Sequence, residues 1–476
     1  MLAARMLSLT LGPKLWVSTR TSGERYPVVI PKVPGKDPGN IRRIDLSIGH
    51  LAAEAAGAGL ATARRNLMEL YGPDDDAAWL PPVLREGWQA IEDAPHAGVV
   101  FDSWEGLLDL YVDAEPSSAL RWETLERYLL SRFARPAMRL ILLSERPVEG
   151  SLDYEVDSVL QTAVGELDER SIRVMTIPKL RGMPLDETIY PYTLDGGEFR
   201  YLARVPLDID TNRWGNEVDP APEREFVWPG ASAFARAFGS LRVGGASLLE
   251  REEGVPSEIS RMMVAAAAIA HVRRQGRVLV IPQPGVSPET IYAGFRRYLP
   301  VEEILPYLRI LTLPVPDRLP EEAREILVPV REPGSEELPM LPYGTSVPDS
   351  SIEPVFPEAT EFLLKGDRTD IPSLAVVDVM GFVQALKAVG RAATPSFLGA
   401  ILRQTIEGRP LHVFLAGTVD QPLLDPFRNV VRPLVRLLAR RGRVFALGNR
   451  PWTPAYVVVP PRSLDADFAY ELIRVS

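Results

Sequence analysis

The 476-residue chain contains no cysteine. Disulfides, thiolate metal sites and a cysteine nucleophile are therefore excluded. Histidine is almost as scarce: His50, His96, His271 and His412 lie far apart, without the spacing of zinc ligands. Lysine occurs 6 times against 47 arginines, the bias of a GC-rich genome. Long apolar runs are missing too. The longest, Val264–Ala270, stops at His271 and Arg273, well short of the roughly 18 residues of a membrane span, so no membrane partner is expected. The opening MLAARMLSLTLG carries a charge inside its apolar run and passes straight into KLWVST, unlike a signal peptide. A formal net charge of −10 argues against nucleic acid as the main partner. A cytoplasmic protein is the expectation.

What is present is ample core material, with 46% hydrophobic residues. The length exceeds one core at about 100–200 residues per domain, so at least two domains are expected. Helix-length segments alternate with short β-branched runs, the pattern of a parallel sheet covered by helices. In the first half the runs are Leu15–Ser18, Val99–Asp102, Arg139–Ser144 and Ser171–Ile177, with helical stretches at Ile48–Leu70 and Leu120–Phe133. The second half repeats the pattern with Ala246–Leu249, Arg277–Ile281, Leu374–Asp378 and Leu411–Ala416. A polar, Pro-rich linker at Asp208–Pro222 divides the chain into domains 1–207 and 231–476. A segment rich in Pro, Glu and Ser, 314–372, reads as an extended insertion outside the core. The halves echo each other, which points to duplication of one unit.

Each half has an apolar strand ending in aspartate, Val99-Val-Phe-Asp102 and Ala375-Val-Val-Asp378. In nucleotide-binding α/β proteins such a carboxylate sits beside the Mg²⁺ of the nucleotide. Around Asp102 the run VVFDSWEGLLDL, the strand LILLSER, the acidic helix LDYEVDSVL, then PKLRG and YPYTLDGGEFRYL resemble the RecA/KaiC-type (RadA-related) ATPases over residues 1 to 205. The fold implied is α/β, two tandem RecA-like domains, each a mostly parallel sheet covered by helices. The resemblance implies ATP and Mg²⁺ as cofactors, held by Asp102, Ser103 and Ser144. It implies that Lys179 and Arg181 reach in trans to the phosphates of a neighbouring subunit, hence a homo-oligomer. A pair of degenerate lobes of this size also resembles the archaeal gas-vesicle regulators of the GvpD kind.

The departures from that family are specific. Its glycine-rich phosphate loop and the strand before it would precede Met1, or another segment would take their place. Gly35-Lys36 is the chain's one Gly-Lys, but Asp37 and Pro38 follow it and it reads as a turn. Thr19 and Arg20 stand where the family carries a glutamate pair, so fast hydrolysis is not expected. In the second half, Ala246 to Ile259 aligns with the phosphate loop. Gly254 persists, Ser257 replaces the lysine, Glu258 replaces the Mg²⁺-binding hydroxyl, and Pro256 removes a donor N–H. Asp378 therefore reads as structural. Gly57-Ala-Gly59 reads as helix packing, His412 as a core residue, and Arg440-Arg441-Gly442-Arg443 as the solvated end of a helix VRPLVRLLA. Two functions fit: a nucleotide-responsive regulator using domain 1, or a pseudo-ATPase scaffold that binds a protein partner without nucleotide.

Overall fold

A computed structural model describes residues 2–10, 12–20, 41–45, 94, 96–112, 130, 138–145, 151–197, 199–204, 226–312, 320–330, 357–364, 371–388, 390, 411–418, 422–460 and 470–475. The helical stretch Ile48–Leu70, nearly all of Leu120–Phe133, the linker Asp208–Pro222, Gly35-Lys36 and Gly57-Ala-Gly59 lie outside them. The protein is a mixed α/β chain with parallel sheet segments, divided into two compact units. Unit 1 is Met1–Gly165 with Arg173–Leu202, and unit 2 is Glu166–Ile172 with Ala203–Ser476.

In unit 1, α1 (Leu2–Ser8) leads to β1 (Lys14–Ser18), β2 (Ile41–Asp45) and β3 (Gly98–Asp102), then α2 (Trp104–Val112) and β4 (Arg139–Leu143). The strands form one parallel sheet in the order β2-β1-β3-β4. Strands β1 and β3 are continuous apolar runs because both faces are covered. Trp16 and Val100 meet Ala3 and Leu7 of α1 on one face, while Leu15, Val17, Val99 and Phe101 are buried on the other. Trp104 packs on Phe101 with ring centroids 5.7 Å apart. The edge strand β4 stays half-exposed despite its LILL sequence.

A second sheet is antiparallel. After the short α3 (Ser151–Glu155), β5 (Ser158–Leu167), β6 (Arg170–Leu180), β7 (Ile189–Thr193) and β8 (Arg200–Tyr201) lie in chain order. This corrects two expectations. The acidic helix is five residues long, and Asp157–Leu160 leaves it to enter β5. The run Ser171–Ile177 belongs to β6 of this hairpin sheet and not to the parallel one. The β5–β6 turn places Asp168 and Glu169 at φ 47° and 62°, the two-residue turn whose twist suits a hairpin.

Unit 2 runs β9 (Phe226–Val227), α4 (Ser232–Phe238), β10 (Leu241–Arg242), β11 (Gly245–Arg251), α5 (Ser257–Arg273), β12 (Val278–Ile281), α6 (Pro288–Arg296), α7 (Val301–Ile304) and β13 (Leu308–Thr312). It continues with β14 (Leu327–Pro329), α8 (Pro357–Leu364), β15 (Ser373–Asp378), α9 (Val379–Ala388), β16 (Leu411–Thr418), α10 (Asp425–Arg428), β17 (Leu434–Arg440), β18 (Arg443–Arg450), β19 (Trp452–Val459) and β20 (Glu471–Arg474). Ten strands form one sheet, β14-β13-β12-β15-β16-β11-β17-β18-β19-β20, parallel up to β17 and antiparallel beyond. Alternate residues feed two cores. Val278 and Val280 face the α5 side, while Leu279 and Ile281 face α8 and α9. The order β13-β12-β15-β16 repeats β2-β1-β3-β4 strand for strand, and in unit 2 β11 follows β16.

Two further expectations are corrected here. VRPLVRLLA is not helical: it forms β17, and Arg441-Gly442, at φ 52° and 70°, turns the chain into β18, where Arg443 is buried. Leu434, Val435, Leu437 and Leu438 are buried on both faces of β17, so no alternation marks it as a strand in the sequence. The 314–372 segment is also not all outside the core. Val328 of β14 and Ala359 and Leu363 of α8 are buried, as are Ala323 and Ile326.

Candidate functional site

Parallel sheets present the C-terminal ends of their strands at one edge, where ligands bind. In unit 1 the register pairs Ser18 with Asp102 and Asp102 with Leu143. Thr19-Arg20, Ser103 and Ser144-Glu145 therefore leave the sheet side by side. Ser103 starts α2 as its N-cap, its hydroxyl accepting the Gly106 N–H at 3.1 Å. Thr19 braces this corner: its hydroxyl accepts the Ser103 N–H at 3.0 Å and its N–H donates to the Asp102 carbonyl at 2.6 Å. Ser144 donates to the Glu105 carboxylate, and Arg20 pairs with Glu145. Burial pushes the Asp102 carboxyl above its ordinary range; Arg20 and the Trp16 indole pull it down, and Glu145 pushes it up.

Lys179 and Arg181 lie elsewhere in the unit, on the antiparallel sheet. Lys179 donates to the Asp153 carbonyl and Arg181 to that of Tyr154, at the carboxy end of α3, with Asp157 3.8 Å from the guanidinium. Cations there complement the exposed carbonyls of a helix end. The structure thus gathers Asp102, Ser103 and Ser144 and leaves Lys179 and Arg181 apart from them.

In unit 2 the strand β11, a five-residue turn and α5 occupy the aligned phosphate-loop stretch. The anions there belong to the protein itself. Glu250, almost fully buried, receives Arg428 of α10, which also pairs with Asp425. Glu252 is gripped by Arg436 and Arg440 of β17, each at 2.8 Å, while its N–H donates to the Leu437 carbonyl at 3.0 Å. These arginines stand 178 to 188 residues from their partners, and no local spacing in the sequence links them. Gly254 needs no special backbone, since an added Cβ would sit 3.5 Å from Ala439, an ordinary contact. Ser257 donates to Glu258 at 3.2 Å, and Arg261 reaches the same oxygen. Burial alone would raise the Glu258 carboxyl; its own N–H, Arg261 and Ser257 together hold it below the ordinary value. Asp378 caps α9, accepting the Gly381 N–H at 2.9 Å, and burial outweighs that bond to push its carboxyl up.

The two aspartates thus differ in use. Asp378 is engaged by the first turn of the helix that follows it, whereas in unit 1 that turn is capped one residue later by Ser103. A carboxylate taken from water and left outside a cap favours a cation. Among the described residues no three His, Asp or Glu side chains come together to hold a metal ion. ATP·Mg²⁺ fits this donor set poorly. Unit 1 offers one desolvated carboxylate with no phosphate cradle among its described residues, and in unit 2 the end of β11 and the turn after it carry Glu250 and Glu252, each already paired with arginine.

No protein-family model matches the sequence. Part of the chain resembles two curated proteins of Halobacterium salinarum. It is 31% identical to Protein GvpD2 over 116 residues and 32% identical to Protein GvpD1 over 125. These stretches cover 24% and 26% of this chain and 23% of each relative, so the chain matches less than a quarter of the relatives' length. The similarity is distant and partial.

Proposed function

We propose that this is a regulatory protein of the GvpD kind, built on two lobes of nucleotide-binding type and acting through a protein partner without ATP hydrolysis. The carrying observation is the double grip on Glu252 by Arg436 and Arg440 where a phosphate would sit in unit 2. The strand order supports the descent of that lobe: β11 has β16 on one side and β17 on the other, with β15 next beyond β16. This is the arrangement a RecA-like domain has when its aspartate strand stands two places from its loop strand. The partial likeness to GvpD1 and GvpD2 supports the regulatory role. Calorimetric titration of residues 1–476 with ATP·Mg²⁺ tests the reading. Loss of one charged hydrogen bond to phosphate costs about 1.5–3 kcal/mol, and a whole loop is missing, so binding weaker than millimolar is the expected outcome. Micromolar affinity would refute it.

A second reading is favoured by one observation, the release of Asp102 from helix capping. In it unit 1 responds to nucleotide through Asp102, Ser103 and Ser144, and Lys179 and Arg181 act in trans within a homo-oligomer. Light scattering separates the two readings: a monomer at high concentration, with and without ATP·Mg²⁺, excludes the second.

A further inference from the structure

We propose that the crevice at the carboxyl ends of β12 and β13, bounded by the loop after β12 and by α9 after β15, is a binding site for an uncharged, flat heterocycle of the purine nucleoside type. This site does not depend on the regulatory reading above. From β12 the chain moves outward to β13 and β14, and from β15 it moves the opposite way to β16. The crevice outside such a reversal, at the carboxyl ends of the strands, is where open α/β sheets bind small molecules. It is not the aligned phosphate-loop position. Two strands, β15 and β16, separate β12 from β11, and three strand spacings amount to about 14 Å.

The crevice has a volume of about 390 Å³, the size of a small-molecule site. Ile281, Leu311 and Val330 give it apolar walls. One side is the loop Pro282–Pro288, stiffened by Pro282, Pro284 and Pro288, which leaves little backbone to be ordered when a ligand enters. Its base is closed where α9 meets that loop: a Cβ on Gly381 would lie 1.9 Å from the Pro282 carbonyl oxygen, so only glycine allows this approach. The polar residues that line it are Gln283, Gln384, Thr312, Ser287 and Glu289.

This lining selects by charge. Among the described residues no lysine, arginine or histidine borders the crevice, and Glu289 repels anions, so this lining offers a phosphate no cation. A carboxamide offers a donor and an acceptor in one plane, which is how glutamine meets the N6 and N7 edge of adenine. A crevice with apolar walls whose lining includes two glutamines suits an adenine ring whose sugar carries no phosphate.

Adenosine and AMP are titrated separately into the full chain, with binding read by calorimetry and by saturation-transfer NMR. Adenosine is expected to saturate one site, with AMP about tenfold weaker or more. Val286→Trp fills the crevice from its half-buried loop, and Gln384→Glu adds a carboxylate at an exposed position of α9. Each is expected to weaken adenosine about tenfold while the melting temperature stays within about 2 °C. Failure of adenosine to bind, equal binding of AMP, or adenosine binding that survives both substitutions overturns the proposal.

Discussion

Acidification should unfold unit 2 through two buried imidazoles. His412 in β16 donates from Nδ1 to the Arg242 carbonyl at 2.6 Å, which fixes the neutral tautomer, so Nε2 accepts the Ser247 hydroxyl at 3.0 Å. His271 near the end of α5 donates from Nε2 to the Pro372 carbonyl at 2.7 Å, and its Nδ1 has no hydrogen-bond partner among the described residues. A proton on that Nδ1 would be a buried donor without an acceptor. Burial lowers both rings from 6.5 to about 4. Above pH 6.5 each ring is neutral whether the chain is folded or not, and its contribution is fully present. As pH falls from 6.5 towards 4 the unfolded chain binds protons that the folded chain refuses, and stability is lost; below 4 these rings take nothing further. At about 1.4 kcal/mol per pH unit the loss is roughly 3 kcal/mol for each ring. The buried carboxyls of Asp102 and Asp378 have raised pKa values and slope the other way, so the informative quantity is a difference between variants. Urea unfolding of the native chain and of His271→Gln/His412→Gln, followed by a unit 2 signal at pH 7.5, 6, 5 and 4, measures it. The native chain should lose several kcal/mol more than the double variant over that range. A gap between the two proteins that is the same at pH 7.5 and pH 4 would refute the reasoning.

Other substitutions probe single contacts. Arg170 is 4% exposed, donates to the carbonyls of Gly448 and Thr453 at 2.7 and 2.8 Å, and lies 3.7 Å over the Trp452 ring. Arg170→Met should cost about 3–5 kcal/mol in denaturant unfolding, and Arg170→Lys should not restore it, because an ammonium lacks the planar fork. Glu258→Gln should lower stability by about 0.3–1 kcal/mol, read from the same curves, through loss of charge at the α5 amino end. Ser257→Lys with Glu258→Thr should leave phosphate release at background, since Glu252 stays held by Arg436 and Arg440. Turnover above a control that also carries Asp378→Asn would show that unit 2 holds a dormant catalytic centre.

Much of the parallel sheet was legible from local pattern. The apolar runs at 99–102, 277–281 and 374–378 are buried on both faces and become β3, β12 and β15, because a strand covered twice must be apolar throughout. That same lack of alternation hid β17, whose LVRLL suits a helix or a buried strand equally until a neighbour supplies the hydrogen bonds. The composition of 314–372 pointed away from the core, yet Val328, Ala359 and Leu363 are carried into it by elements too short to declare themselves in a Pro- and Glu-rich segment. Asp102 and Asp378 each close an apolar strand before a helix, and as sequence only their surroundings set them apart, the run resembling RecA/KaiC-type ATPases around Asp102 and the altered loop stretch ahead of Asp378. Tertiary structure separated them by one residue of capping: Asp378 accepts the N–H of Gly381, while Ser103 takes the corresponding bond in unit 1. The acidic character of this stretch could be read at Glu252, Glu253 and Glu258, whereas the buried Glu250 was not singled out. The arginines that neutralise Glu250 and Glu252 come from α10 and β17, nearly two hundred residues on, and only the parallel pairing of β11 with β17 brings the β17 pair to Glu252. Strand patterns are local properties and were written in the sequence. Which charge meets which depends on strand order, and that was decided by how the sheet closes around its core.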